Sequence, residues 1–470
     1  MSASSSVLGS SVLNSSALNS SELRTPGLPS RTDRAVRTDR VNETDQTNET
    51  DRTDQTDQIH RSIQTDNVLS FERILVANEP RTALRVSGGL VSELAKPMNL
   101  SHVRRMCDDT GILEHAEGAI PRREHGYCTD DISRQLLVAS LYPNDSLALA
   151  IAEQGLSFLR HAAMPKGRFR SRMNYARIWT DSGNSDDASG RAMWALGEAI
   201  ASAPWLHVRE TAISLFDQMC SFESGYWHAN AFAALGVGSV LAEGHSNQRS
   251  EDLAVRLARS LRRVWTEKSV HDLRVGGPSL WVWPEARITY ASAGLPDALL
   301  ALSAVDESLF DDGLDLLRWL SNRVVRDGRF SPVPVDGLGP ADPRPGFDQQ
   351  PIEAQAFASA SWRAWRLTGD ITWLQMLVHA CAWFVGANDT SMSMIDRDTN
   401  GCFDGLMRFG RNANQGAEST LAMLHSMALL RLAIDVGAVV LDTRAGPQAG
   451  TQSGPPADPG SDSSPRWART

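Results

Sequence analysis

The stretch TDDISRQLLVASLYPNDSLALAIAEQGLSFLRHA, residues 129–162, decides the fold. On either side of the Tyr-Pro-Asn-Asp segment at residues 142–145, its apolar residues recur at spacings of three and four, as in an amphipathic helix. The stretch therefore predicts two helices, beginning near Asp130 and Ser146, that are joined by a tight turn. Such a pair is a helical hairpin.

The same helical spacing recurs in about a dozen segments, and period-two alternation is confined to a possible short strand at Arg73–Asn78. Most of these segments have Ser, Asp, Asn or Pro where a helix should begin. Twelve helices make six hairpins, so we predict an all-α fold, an (α/α)6 toroid. The predicted helices begin near Met98, Asp130, Ser146, Asp187, His207, Trp227, Glu251, Thr289, Asp306, Pro351, Ile371 and Gly416.

The connections between the helices differ in length. Tight turns lie at residues 142–145, 203–206 and 368–370, whereas the segments 109–129, 165–186, 269–288, 327–350 and 387–415 are long. In an up-down ring of hairpins, every connection into an even-numbered helix lies on the same face. Because long loops in a compact domain are usually functional, we expect them to converge on one mouth that holds the site.

The two ends of the chain differ from the helical part in composition. Residues 1–70 are rich in Ser, Thr and Asp, and residues 443–470 are rich in Pro, Gly and Ser. Neither segment has enough apolar surface to offset the entropy of ordering it, so we predict two disordered tails. The toroid is then predicted to span residues 71–442.

Charge and cysteine usage exclude several classes of protein. The 46 basic and 56 acidic residues give a net charge of −10, which argues against a nucleic-acid partner. The five cysteines are scattered without a C-x-x-C pair, and no histidine spacing suits a metal, so we predict reduced buried thiols, no metal and no cofactor. We find no secretory leader and no membrane-spanning stretch, and we expect a cytoplasmic protein without a membrane partner.

Acidic, amide and aromatic residues collect where the long loops enter the even-numbered helices. Aromatic rings stack on the C–H faces of sugars, and acids and amides hold sugar hydroxyls, so we predict an oligosaccharide or polysaccharide substrate. The predicted substrate-binding residues are Tyr127, Asp130, Trp179, Asp187, His228, Trp281, Trp283, Tyr290, Gln349, Gln350, Asn414 and Gln415.

Several separated motifs carry a resemblance to a known family. They are CDDTGILEHA (107–116), IPRREHGYCTDD (120–131), WPE (283–285), GLPDALL (294–300), FDQQPIEA (347–354), CFDGL (402–406) and GRNANQGAESTLA (410–422). Together they resemble a bacterial family of six-hairpin, glycosidase-like α/α toroids, which are often fused to, or named as, glycosyltransferases.

The resemblance implies the toroid fold and carbohydrate chemistry. The sequence departs from the family pattern at two places, with TDDISR (129–134) in place of TDDNAR and YASAGLPDALL (290–300) in place of YDNARLPEALL. These departures predict an altered substrate or weakened catalysis. The sequence also has no Gly-rich turn between a strand and a helix that would bind a nucleotide-sugar.

Six-hairpin folds of this kind mostly invert, so the resemblance favours an inverting glycoside hydrolase or phosphorylase. Inversion needs one protonated carboxyl and one ionised carboxylate. We predict Glu285 as the general acid, because its Trp-rich surroundings would raise a carboxyl pKa. Asp131 is the predicted base, with Glu353 and Glu418 as alternates.

Two other functions fit the same sequence. One is a glycosyltransferase, which the family name implies, or a non-catalytic glycan-binding module that accompanies a separate glycosyltransferase. The two motif departures and the missing nucleotide-sugar motif favour the non-catalytic module. The other is a sugar epimerase, for which His125 and His228 would be the candidates for proton abstraction. The fold by itself does not choose among these functions.

Overall fold

A computed structural model of the protein describes residues 83–443, apart from residues 182, 184 and 269–280. These residues form thirteen α-helices, fourteen short strands and one 3₁₀ turn at Arg123–His125. The helices are α1 (Val91–Leu94), α2 (Ser101–Met106), α3 (Thr129–Ser140), α4 (Ala148–Ala162), α5 (Asp186–Ser202), α6 (Leu206–Met219), α7 (Trp227–Ala242), α8 (Gln248–Lys268), α9 (Gly294–Ala301), α10 (Ser308–Val324), α11 (Pro351–Thr368), α12 (Ile371–Phe384) and α13 (Ala417–Asp435).

Six of the helices close into a ring. Helices α3, α5, α7, α9, α11 and α13 each contact the next one, and α13 contacts α3. We call these the inner helices. The outer helices α4, α6, α8, α10 and α12 pack on α3, α5, α7, α9 and α11 in turn, and α2 packs on α13. The fold is therefore an α/α toroid of six helical hairpins, as the sequence predicts.

Burial separates the two layers. All eight residues of α9 are buried, as are 11 of the 12 residues of α3 and 14 of the 19 residues of α13. The outer helix α10, in contrast, buries a stripe and exposes its charged face. A helix that is buried on all sides needs no polar face, whereas an outer helix must be amphipathic. This difference places the core between the two rings of helices.

Local signals fix where several helices begin and end. The Ser185 hydroxyl accepts a hydrogen bond from the backbone N–H of Ala188 at 3.3 Å, and Asp370 caps α12 through the N–H of Thr372 at 2.9 Å. Gly369 ends α11 with a φ of 69°, a conformation that glycine adopts without strain. Every predicted helix start lies within five residues of an observed one.

The strands belong to the loops. They are β1 (Leu84–Val86), β2 (Ala116–Glu117), β3 (Ile120–Pro121), β4 (Tyr127–Cys128), β5 (Ala163–Met164), β6 (Arg168–Phe169), β7 (Arg172–Met173), β8 (Val325–Arg326), β9 (Arg329–Phe330), β10 (Ile395–Asp396), β11 (Gly401–Cys402), β12 (Gly405–Met407), β13 (Gly410–Asn412) and β14 (Val439–Leu441).

The strands pair two by two. Strands β1 and β14 pair in parallel, with Leu84 opposite Val439, and join the start and end of the described chain. The other pairs are antiparallel: β2 with β3, β4 with β7, β5 with β6, β8 with β9, β10 with β11 and β12 with β13. These strands are not predicted from the sequence, because two or three residues are too few to show alternation.

Three further predictions concern the ends of the chain, the cysteines and membrane-spanning helices. The strand predicted at Arg73–Asn78 and the predicted tails, apart from residue 443, lie outside the described residues. All five cysteines are buried and free, as predicted. Among the described residues, no helix combines the length and the apolar character needed to cross a membrane.

Candidate functional site

A cavity of about 480 Å³, which we call the central cavity, opens where the inner helices begin. Its wall includes residues from the first turns of α3, α5, α11 and α13, so these N-termini lie on one face of the ring. Six predicted site residues line it: Asp130, Asp131, Asp187, Tyr290, Gln350 and Glu418.

Other lining residues are not predicted from the sequence. They are Glu114, His115, Cys128, Arg134, Arg172, Arg191, Ile352, Asp404, Asn412, Gly416 and Ser419. A signal for two of them is present, because α3 begins with TDDISR and α5 begins with DDASGR. In both helices an arginine three or four residues after the acidic pair returns to the same face of the helix.

Arg134 connects carboxylates from two inner helices. One guanidinium nitrogen lies 2.6 Å from Oδ1 of Asp131, and another lies 2.6 Å from Oε2 of Glu418. Burial raises the pKa of Asp131 to about 8, although the Arg134 charge opposes this rise. The side chain of Glu418 is 40% exposed, so this carboxylate remains open to the cavity.

Two further acid–arginine pairs complete the wall. Arg172 binds both carboxylate oxygens of Glu114, with one nitrogen at 2.8 Å from Oε1. Arg191 lies 3.2 Å from Asp130, and its guanidinium stacks on the ring of Phe232 at 3.9 Å. Each arginine of the wall therefore faces at least one carboxylate.

A second cavity of about 310 Å³ adjoins the first. It is lined by Ser185, Asp186, Asp187, Tyr226, His228 and Tyr290, and it shares Asp187 and Tyr290 with the central cavity. Burial raises the pKa of Asp187, while the hydroxyl of Tyr290, which donates a hydrogen bond to this carboxylate, opposes the rise. Asp187 thus stands at the junction between the two cavities.

His228 belongs to a stack of three rings. Its imidazole lies 3.5 Å from the ring of Trp227 and 4.4 Å from that of Tyr290, and both neighbours are close to parallel with it. Its Nε2 is 3.2 Å from the carbonyl oxygen of Tyr290. Burial lowers the pKa of His228 to about 4, so the imidazole is neutral at neutral pH.

Two predicted catalytic residues are not among the described residues that line the cavities. Glu285 accepts a hydrogen bond from Nε1 of Trp227 at 3.1 Å. Glu353 is buried in the first turn of α11, where the Ser292 hydroxyl donates to its Oε2 at 2.6 Å and its Oε1 has no partner. Burial raises the pKa of Glu353 to about 7.

Four of the predicted aromatic residues contact other side chains of the protein. The hydroxyl of buried Tyr127 donates to Asp108 at 2.6 Å. Trp179 makes edge contacts with Phe158 and His161. Trp281 and Trp283 both contact Trp319, and the indole N–H of Trp281 donates to the carbonyl oxygen of Glu285 at 2.8 Å. None of these four is among the described residues that line the two cavities.

Of the four predicted amide residues, Gln350 lines the central cavity, whereas the other three are not among its described lining residues. Gln349 is fully buried and donates to Asp389 at 2.6 Å. Asn414 accepts a hydrogen bond from the N–H of Gly118 at 3.0 Å, and Gln415 donates to Asp396 at 2.7 Å. These three amides hold the loops that form the rim.

One group on the wall has the composition of a metal site. Glu114, Cys128 and Asp131 each place a ligand atom within 4.8 Å of the other two. Both carboxylates already face a guanidinium, and burial raises the pKa of the Cys128 thiol, which disfavours the thiolate that metals bind. We therefore assign no metal to this group.

Comparison with known proteins supports the fold. No family model matches the chain, and no curated protein matches it. Similar solved structures include a sugar epimerase from a ruminal bacterium, with a TM-score of 0.55 and 12% identity over 73% of this chain and 99% of that one.

Two cellobiose 2-epimerases are also similar. The enzyme from Spirochaeta thermophila has a TM-score of 0.51 and 13% identity over 73% of this chain and 97% of that one. The enzyme from Bacillus thermoamylovorans has a TM-score of 0.50 and 12% identity over 77% of this chain and 99% of that one. At this level of identity, the similarity shows a shared fold.

Proposed function

We propose that the protein is a carbohydrate-active enzyme that cleaves a glycosidic bond with inversion at the central cavity. The observation that carries this proposal is the convergence of Asp130, Asp131, Asp187 and Glu418 on one open cavity. These carboxylates come from three inner helices. Such an arrangement suits a neutral, polyhydroxylated substrate and supplies both an acid and a base.

Asp187 is the proposed general acid. It lies at the junction of the two cavities, where a bond between two sugar rings would sit, and burial favours its protonated form. Glu418 is the proposed general base, because its exposed carboxylate can reach water while the guanidinium of Arg134, 2.6 Å away, holds it in place.

In the proposed reaction, Asp187 gives its proton to the glycosidic oxygen as the bond from this oxygen to the anomeric carbon breaks. A water molecule forms the new bond to the anomeric carbon and gives a proton to Glu418. Asp187 is on α5 and Glu418 is on α13, and α3 lies between these helices in the ring. Inversion needs room for a water molecule between the two carboxyl groups, so the proposal requires them to be about 6.5–9.5 Å apart.

The lining of the central cavity bears on the catalytic residues that the sequence predicts. Glu285 as general acid, Asp131 as base and Glu353 as alternate base stay predictions, and the lining of the central cavity favours Asp187 as the acid and Glu418 as the base. Asp131 would support the base by sharing Arg134 with it. The remaining lining residues would hold sugar hydroxyls.

Water suits the cavity better than phosphate as the attacking group. Six carboxylates and three arginines line it, and each arginine already faces a carboxylate. A phosphate dianion would have to displace a carboxylate from one of these arginines. We therefore favour hydrolysis over phosphorolysis.

Sugar epimerisation is the second candidate. His115 lines the central cavity and provides an imidazole for proton abstraction from a sugar carbon. The similar solved structures named above are epimerases, which gives this reaction some weight. Proton exchange at C2 of a reducing sugar in heavy water, followed by NMR, distinguishes it from bond cleavage.

The test is a screen of neutral oligosaccharides with the full chain, with NMR detection of the anomer that is released first. We expect inverted product, and replacement of Asp187 by Asn should lower kcat by about 10²–10⁴-fold. The control variant is Asp315→Asn, on the exposed face of α10, which should retain activity. Glycan binding without product would instead favour a non-catalytic module working beside a glycosyltransferase.

A further inference from the structure

We infer that the second cavity is a separate subsite for a neutral sugar ring, with Tyr226 as its stacking platform, and that the substrate therefore has at least two sugar units. The inference rests on the proposed function and adds the size and charge of its substrate. It starts from the junction at Asp187 and Tyr290, where the two cavities meet. A ring in each cavity places the bond between them beside the proposed acid.

Tyr226 is an exposed aromatic residue on an anchored backbone. The residue is 70% exposed, although it lies directly before the first residue of α7. The backbone N–H of Tyr226 donates to the hydroxyl of Ser224 at 2.9 Å, and this hydroxyl donates to Asp186 at 2.5 Å. Arg168 pairs with the same Asp186. The ring is thus exposed to solvent on an anchored backbone, where a sugar ring can stack on it.

The polar residues of the second cavity indicate the charge of the ligand. Asp186 and Asp187 supply two carboxylates, and none of the six lining residues is an arginine or a lysine. His228 adds no positive charge, since burial lowers its pKa to about 4. A phosphorylated or acidic sugar would find no arginine or lysine among these lining residues, whereas a neutral sugar could donate its hydroxyls to the two carboxylates.

The experiment measures how binding affinity depends on the number of sugar units in the oligosaccharide. The full chain carries Asp187→Asn, which prevents turnover, and calorimetry is run with β-1,4-linked gluco- and manno-oligosaccharides of one to five units. We expect the affinity for one series to rise at least about tenfold between one and two units, equal to about 1.4 kcal/mol. Adding Tyr226→Ala should remove this rise and leave the monosaccharide affinity within about twofold.

Phe409→Ala provides the matched control. Phe409 is 92% exposed, more than Tyr226, but it is not among the described residues that line either cavity. This variant should keep the full rise in affinity with chain length. An equal loss in both variants would point to general surface hydrophobicity and would overturn the subsite.

The outcomes separate this inference from the proposed function. If the wild-type protein cleaves a substrate but the affinity is the same for one and two units, the subsite is wrong and the proposed function stands. If an acidic oligosaccharide binds more tightly than its neutral counterpart, the assigned charge is wrong. If no sugar binds and none is turned over, the proposed function fails and this inference fails with it.

Discussion

The hydroxyl of Tyr290 donates a hydrogen bond to the carboxylate of Asp187, which lies 103 residues earlier in the chain. Tyr290 comes from the loop before α9, and Asp187 is in the first turn of α5. The ring of Tyr290 also stacks on His228, which holds the phenol from the other side. Residues from the starts of α5 and α7 and from the loop before α9 therefore position one carboxylate together.

This hydrogen bond leads to the first prediction. The Tyr290 hydroxyl lowers the pKa of Asp187, so Tyr290→Phe should raise it. A general acid acts only while protonated, and the alkaline limb of the profile of kcat/KM against pH should therefore move to higher pH. The measurement is this profile for both proteins, with Tyr226→Phe as the control. An unchanged limb would contradict the role of Asp187 as the acid.

The ring of hairpins follows from the sequence because helices of a dozen residues or more repeat their apolar spacing several times. Connection lengths then place the helix N-termini on one face, and this reasoning brings Asp130, Asp131, Asp187 and Glu418 to one cavity. Each of these four is within the first three residues of its inner helix. When the position of a helix is predicted correctly, the position of a residue in its first turn is predicted with it.

The loop residues cannot be placed in the same way. Glu285, Trp281 and Trp283 depend on the path of a long connection, and their packing against Trp227 and Trp319 has no periodic signal. In the sequence, Gln349 is a polar residue that could bind a ligand. In the structure, its side-chain amide makes hydrogen bonds to Asp389 and Trp383 that anchor its own loop. Side-chain partners distant in sequence decide these positions.

The second prediction concerns the buried Glu353. Its pKa is raised from 4.5 to about 7 by burial, so the folded state binds a proton that the unfolded state releases between these values. The stability that this proton supplies is full below about pH 4.5 and is lost as the pH rises through 7. Glu353→Gln mimics the protonated form and should therefore gain stability relative to wild type over this range, by about 3 kcal/mol.

Urea unfolding of both proteins at several pH values provides the measurement. The difference between the two free energies of unfolding cancels the titration of all other groups. A difference that stays constant from pH 4.5 to pH 7.5 would show that Glu353 is ionised throughout.

The third prediction concerns Arg134, whose side chain is only 7% exposed. Arg134→Met removes the cation that holds down the pKa of Asp131, so this pKa should rise further. A raised carboxyl pKa weakens the folded state increasingly as the pH rises. The variant should therefore lose about 3–5 kcal/mol at neutral pH and less at pH 5.

An exposed ion pair serves as the comparison for this loss. Arg262 lies 3.0 Å from Asp306, but its side chain is 51% exposed. Arg262→Met should change the free energy of unfolding by no more than about 1 kcal/mol, since solvent screens such pairs. Equal losses in the two methionine variants would contradict the buried role of Arg134.

The last prediction concerns the contact between α5 and α7. A Cβ atom on Gly197 would overlap the carbonyl oxygen of Gly236, and a Cβ on Gly236 would overlap that of Met193. Because backbone atoms form the obstacle, the helices must separate to accept a methyl group. Gly197→Ala should therefore lower the free energy of unfolding by at least about 2 kcal/mol.

Gly294, at the start of α9, provides the matched control, since nothing lies within 4 Å of a Cβ atom built there. Gly294→Ala should leave stability unchanged or raise it by up to about 1 kcal/mol through helix propensity. The separation also affects the site, because α5 carries Asp187 and α7 carries His228. Gly197→Ala should thus weaken activity in the folded protein, measured well below its unfolding temperature, while Gly294→Ala should not.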